Sequence, residues 1–155
     1  MEILILAVGK IKENYLKLAA AEYAERLSRY ARISTVEVPE EDIGARPERS
    51  VKSLEADRIL SKMPAGYRIV ALDRLGKEMS SEELAAYIEG QMTSGASRFA
   101  FILGGPLGLA DEVLARADLR LSLSKLTFPH QLARVLLLEQ LYRCFKIIRK
   151  EPYHY

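Results

Sequence analysis

Three short stretches of this chain hold the residue types that chemistry uses. Gly104-Gly105-Pro106-Leu107-Gly108 places three glycines and a proline directly after an apolar run. Glycine lets a backbone approach a ligand closely, and proline keeps the turn stiff. The spacing is neither the G-x-G-x-x-G of a dinucleotide site nor a phosphate loop ending in Gly-Lys-Ser/Thr. A tight strand-to-helix turn is the plainer account. If ligand approach sets these glycines, Gly104→Val should block binding and leave the fold intact. Leu123-Ser124-Lys125-Leu126-Thr127-Phe128-Pro129-His130 offers two hydroxyls, amides and apolar side chains. That set suits a flat heterocycle with a polar edge. Taken singly, Ser124 and Thr127 suit helix capping and His130 a first-turn position. Asp73 closes a further apolar run, where it can serve catalysis or simply open a turn.

The last thirty residues add a different chemistry. Residues 126 to 155 carry Arg134, Arg143, Lys146, Arg149 and Lys150 against Glu139 and Glu151, interleaved with Tyr142, Phe145, Tyr153 and Tyr155. Cations among rings suit a phosphate backbone with bases to stack. A solvated helix end whose cations complement its dipole is the alternative. Hydrolase signatures are missing: there is no G-x-S-x-G elbow, no close carboxylate pair on a helix and no Cys–His arrangement. The single cysteine, Cys144, reads as packing and excludes an internal disulfide or a Cys-based zinc cluster. With only His130 and His154 besides, no metal is expected.

Positioning these stretches requires an ordered scaffold. At 155 residues, 49% hydrophobic and 28% charged, residues 1–155 read as one soluble globular domain. The net charge of +2 puts no strong field over the whole molecule. The longest apolar run, Ile3 to Val8, is far short of the ~20 residues of a membrane helix. It follows Glu2 instead of a basic segment, so it is not a signal peptide, and a cytoplasmic location without a membrane partner is expected.

Along the chain, Ile3–Val8 reads as a strand buried on both faces, followed by a helix from about Glu13 to Tyr30. Ile33–Val38 alternates as a strand, and a loop rich in proline and charge leads to a helix ending at Lys62. Tyr67–Asp73 is a strand, with Leu75-Gly76-Lys77 turning away from it. A Ser80 cap with Glu82 and Glu83 starts the next helix. Arg98–Leu103 is a strand, about 110–117 a short helix, and Leu119–Leu123 a last strand. The final helix runs from near Pro129, favoured at a first helical position, to about Lys150. This alternation predicts an α/β fold, a mostly parallel sheet with helices on both faces. Ligands of such sheets bind beyond the carboxyl ends of strands, where the loops after Asp73, Leu103 and Leu123 all emerge. The last helix is apolar on several faces (Leu132, Val135, Leu136, Leu137, Leu138, Leu141), which fits either a deeply buried central helix or a second packing surface.

LGGPLG at 103–108, LSKLTFPHQLARVLLLEQLYR at 123–143, EPYHY at 151–155 and the opening ILAVGKIKE at 5–13 resemble the ribosomal large-subunit RNA methyltransferase H family, small bacterial members of the SPOUT superfamily. The resemblance spans the whole chain. It implies methyl transfer from S-adenosylmethionine to N3 of a pseudouridine in a hairpin loop of 23S ribosomal RNA, on the assembled ribosome. It also implies a homodimer and a C-terminal trefoil knot, which general topology rules would disfavour. By family correspondence the cofactor is held by Leu72, Gly104, Leu123, Ser124, Lys125, Leu126, Thr127 and Phe128. Lys146, Arg149, Lys150 and Tyr153 are the expected RNA contacts. For the N3 proton, His130, His154 and Arg143 are the groups able to accept it or steady the negative oxygen. A ribosome-binding factor that keeps the fold without chemistry is the competing reading. A small-molecule methyltransferase or nucleotide-binding enzyme is another, which the basic aromatic tail argues against.

Overall fold

The computed structural model describes residues 1–153; His154 and Tyr155 lie outside the described residues. The chain runs β1 (Glu2–Val8), α1 (Asn14–Leu27), β2 (Arg32–Val38), α2 (Glu48–Lys62), β3 (Arg68–Glu78), α3 (Ser81–Thr93), β4 (Arg98–Leu103), α4 (Asp111–Leu114), β5 (Leu119–Ser122), α5 (His130–Ile148). The strands form one sheet in the order β2-β1-β4-β3-β5, every pair parallel. The α/β reading from the sequence therefore stands.

Burial follows strand position. β1 and β4 are interior and almost wholly buried, which is why Ile3–Val8 and Phe99–Leu103 are unbroken apolar runs. β2 is an edge strand and alternates, with Glu37 exposed beside buried Val38. One sheet face packs Ile3, Ile5, Phe99 and Phe101 against α1, α3 and α5. The other packs Leu4, Leu6, Ala100 and Ile102 against α2 and α4. On the first face α5 lies between α1 and α3. Leu137, Leu141 and Cys144 are fully buried there, so most of the apolar surplus of α5 belongs to a central helix. Burial pushes the Cys144 thiol up to about 12, as a packing cysteine requires.

Three local expectations change. β3 does not end at Asp73: residues 73–76 loop out and the strand resumes, pairing Lys77 with Leu121 and Glu78 with Ser122. Gly76 permits the excursion, since a Cβ there would lie 2.6 Å from the Arg120 carbonyl oxygen. The helix expected over 110–117 is regular only from Asp111 to Leu114. Pro129 occupies the N-cap of α5, one place before the first helical residue, and no side chain caps that helix. The Ser80 cap does form, as a full capping box with Glu83: the Glu83 amide donates to Ser80 Oγ at 3.1 Å, and the Ser80 amide to Glu83 Oε2 at 2.7 Å. Ser80→Ala should lower unfolding stability by about 1 kcal/mol in urea titration with an unchanged slope; an unaltered midpoint would contradict the cap.

Candidate functional site

The carboxyl ends of β3, β4 and β5 open into a cavity of about 630 Å³. That is within the roughly 300–1,000 Å³ typical of small-molecule sites. Its walls come from the three loops singled out above. Leu72 and Asp73 border it from β3, Gly104 to Leu109 from the glycine loop, and Leu123, Ser124, Leu126, Thr127, Phe128 and His130 from the segment entering α5. Lys125 is absent from the wall: 88% of its side chain is exposed, and its Nζ faces Glu78 Oε1 at 4.0 Å.

The glycine loop is shaped by its own closure. The Gly108 amide donates to the Gly105 carbonyl at 3.0 Å, and Gly108 has φ +80°, a region that favours glycine. A Cβ on Gly104 would meet the Gly108 carbonyl carbon at 2.6 Å and its oxygen at 2.7 Å. Gly104 is thus required by the backbone folding against itself, whatever approaches it from the cavity, which corrects the expectation that Gly104→Val leaves the fold intact. Behind the loop, Glu55 of α2 is only 3% exposed and accepts the Glu41 amide at 3.1 Å. Burial holds its carboxyl above the usual carboxylate range. Its oxygens lie 3.4 Å from where a Gly105 Cβ would stand. Nothing in the pattern of a charged helix singled this residue out.

The segment 123–130 is held by its hydroxyls, but not by capping α5. Ser124 Oγ accepts the Leu126 amide at 3.0 Å, and Ser122 Oγ donates to the Ser124 carbonyl at 3.1 Å. Asp73 takes the plainer of its two roles. It accepts Arg120 through Nε at 3.0 Å and Nη2 at 2.6 Å, and its other oxygen takes the Leu75 amide at 3.2 Å. His130 reaches the cavity with a buried Nε2 that has no hydrogen-bond partner among the described residues. Burial lowers its pKa, so the imidazole is neutral near pH 7.

Arg134 is not part of a phosphate-facing surface. It is 4% exposed, donating from Nη1 to Glu37 Oε1 at 2.5 Å and from Nη2 to the Gly9 carbonyl at 2.8 Å. With Gln131 accepting the Lys12 amide at 2.8 Å, it fastens the first turns of α5 to the loop after β1. That explains the place of Val8-Gly9-Lys10-Ile11-Lys12 beside the site.

The other candidates lie elsewhere. From His130 to Arg143 is thirteen residues of one helix, about 20 Å at 1.5 Å per residue. Arg143 grips Glu139 Oε1 through Nε at 3.1 Å and Nη2 at 2.6 Å. The Tyr153 hydroxyl donates to the same oxygen at 2.6 Å, with the Arg143 guanidinium 4.0 Å from its ring centre. Glu139 was legible only as the i,i−4 partner of Arg143. Lys146 pairs with Glu151 at 2.9 Å, while Arg149 and Lys150 are exposed. Within one chain, then, His130 joins the cavity and Arg143, Lys146, Arg149, Lys150 and Tyr153 do not; His154 lies outside the described residues. Among the described residues, no group of three or more His, Cys, Asp or Glu is placed to hold a metal, and no helix is long and apolar enough to cross a membrane.

The family model described as predicted SPOUT methyltransferase matches residues 1–154. The chain belongs to the SPOUT methyltransferase family. Among its relatives, the ribosomal RNA large subunit methyltransferase H of Carboxydothermus hydrogenoformans is 53% identical, and that of Acetivibrio thermocellus 51%, each alignment covering 99% of both chains. The structure of a probable methyltransferase from Bordetella pertussis Tohama I superposes with TM-score 0.54 at 14% identity, over 92% of this chain and 95% of that one. A probable methylase family protein from Haemophilus influenzae gives 0.51 at 14%, over 99% of this chain and 70% of that one. These two share the fold.

Two outcomes follow for the site. Gly104→Val should lose thermal stability and ligand binding together, read by melting and calorimetry. Full stability with lost binding would restore the ligand-approach explanation. His130 has a folded pKa below its unfolded value of about 6.5, so its contribution to stability is present above that pH and lost as pH falls through it. Wild-type denaturation midpoints should therefore drop more between pH 7.5 and 5 than those of His130→Gln; equal slopes would remove His130 from the account.

Proposed function

We propose that this protein methylates N3 of a pseudouridine in a hairpin loop of 23S ribosomal RNA on the assembled ribosome, in the cytoplasm. The observation that carries this reading is the full-length likeness to proteins named ribosomal RNA large subunit methyltransferase H. S-adenosylmethionine, bound in the cavity, supplies a methyl group on a sulfonium. The residues present suit it: apolar Leu72, Leu123 and Phe128 flank an open glycine turn, and the unpartnered His130 Nε2 is a polar contact awaiting a ligand. Leu72, Gly104, Leu123, Ser124, Leu126, Thr127 and Phe128 form the binding wall, with Lys125 at its rim.

The chain's own work is to align and to manage one proton. Orientation of reactants can contribute roughly 7–11 kcal/mol. N3 of the acceptor base carries a proton that must leave as the N–C bond forms. Neutral His130 is able to take it, while Arg143 is suited to steady negative charge on the base oxygen, with His154 as the third candidate. Lys146, Arg149, Lys150 and Tyr153 then hold the RNA.

Because Arg143, with Tyr153 against it, stands about 20 Å along α5 from His130 at the cavity, the reading includes a homodimer in which each tail serves its partner's cavity. Tyr15 and Leu18 of α1, exposed at 68% and 65%, and half-buried Leu132 and Leu136 of α5 offer apolar surface for that contact. A C-terminal trefoil knot belongs to the same proposal. The test is transfer of labelled methyl from S-adenosylmethionine to ribosomes that lack the modification, with nucleoside mass spectrometry of the product. Ribosome binding without transfer would favour a non-catalytic factor. Deleting residues 153–155 should keep the fold and the cofactor affinity and remove most transfer; full-rate transfer by the truncated chain would make the tail mere surface.

A further inference from the structure

Where α1 and α5 end side by side, four tyrosines from distant parts of the chain form one connected group. Ring centres are 6.5 Å apart for Tyr23 and Tyr142, 6.1 Å for Tyr30 and Tyr142, and 5.4 Å for Tyr142 and Tyr153. Cations lie over these rings. The Arg26 guanidinium is 5.5 Å from the Tyr23 centre and 5.8 Å from that of Tyr142, and Lys146 Nζ is 6.0 Å from Tyr142. Arg29, just past α1, and Arg149 and Lys150, just past Ile148, are exposed at the same ends of the two helices.

Resting on the RNA-methylating reading above, we infer that the C-terminal end of α1, through Arg26 and Arg29, forms half of a phosphate-gripping platform whose other half is the C-terminal end of α5, and that its occupant is the phosphodiester backbone of the RNA substrate. A guanidinium attracted over the rings still turns N–H groups to solvent, and a phosphate takes two of them at once. The ring removes much of the side-chain freedom that binding would otherwise have to quench. Helix packing needs the tyrosines but no cation at either arginine position, since both are exposed.

The charge balance favours an anionic partner. Arg26, Arg29, Arg143, Lys146, Arg149 and Lys150 face Glu22, Glu25, Glu139 and Glu151. Of these acids, Glu139 is taken up by Arg143 and Tyr153, and Glu151 by Lys146 and the Tyr30 hydroxyl, which donates to it at 2.6 Å. Glu22 holds Arg26 at 2.7 Å, but in an exposed i,i+4 pair that competes weakly with a phosphate. The platform is at the far end of α5 from the chain's own cavity. In the proposed dimer, RNA lying on one subunit's platform therefore brings its base to the other subunit's cavity.

The test compares the full-length protein with Arg26→Ala/Arg29→Ala. Binding to ribosomes lacking the modification is measured by sedimentation between 50 and 300 mM KCl, beside methyl transfer, cofactor calorimetry and light scattering. The double variant should bind about tenfold more weakly at low salt. Its salt dependence should be shallower by about 1.5 in the log–log slope, because each lost phosphate contact removes roughly 0.7–0.9. Cofactor affinity and dimer mass should stay as in the wild type, and Arg26→Lys/Arg29→Lys should recover part of the slope. An unchanged slope would overturn the platform, as would dissociation into monomers, which would make this surface a subunit contact. If wild-type protein binds ribosomes without methyl transfer, the methylation reading falls, whereas the same slope change in the double variant still supports the platform.

Discussion

Parallel pairing sends every connection back to the opposite edge of the sheet before the next strand can begin. All five strands here obey that constraint, so their carboxyl ends, and the loops that leave them, share one edge. The cavity at that edge is therefore a consequence of topology. So is its separation from the tail. α5 leaves the cavity at His130 and must run the other way, carrying Arg143, Lys146 and Tyr153 to the amino edge of the strands. A helix packed between α1 and α3 over the buried strands β1 and β4 has no freedom to bend back.

Buried polar groups do the work of fixing the cavity edge. Arg134 gives up its hydration to bind Glu37 and the Gly9 carbonyl, and Glu55 gives up its own beside Gly105. Arg134 ties the loop after β1 to α5, and Glu55 ties the loop after β2 to α2. Asp73 and Arg120 do the same more openly, pinning the point where β3 leaves the ladder and later rejoins it. Arg134 and Glu55 stay out of the cavity wall, whereas Asp73 and Arg120 are part of it.

In the glycine loop the backbone by itself already excludes a side chain. Gly104 borders the cavity, as expected of a strand-end glycine, but the atoms that exclude a side chain there belong to Gly108 four residues later. Ser124 shows the same pattern. It was suited to a helix cap, and it instead closes a turn on the Leu126 amide within the cavity wall.

Local composition and period settled most of the scaffold. The apolar runs 3–8 and 99–103 had to be interior strands because nothing else buries both faces of so short a segment. The alternation of 33–38 read as a strand, whose edge position only the sheet order gave, and Ser80 with the acids after it read as a helix start because the reciprocal bonds need only neighbours three residues apart. Likewise the three strand-end loops could be picked out, since a parallel sheet puts ligands nowhere else. What local pattern could not contain is any relation between distant residues. Arg134 looked like one more cation of a basic tail until packing placed it against Glu37, ninety-seven residues away. Tyr23 and Arg26 looked like an ordinary helix surface until α5 brought Tyr142 beside them. The distance between His130 and Arg143, by contrast, was legible, because thirteen residues of one helix span about 20 Å. Sequence sets what each segment can become, because propensity and burial period act over a few residues; only the packed sheet decides which of those segments meet, because contact is a property of the whole fold.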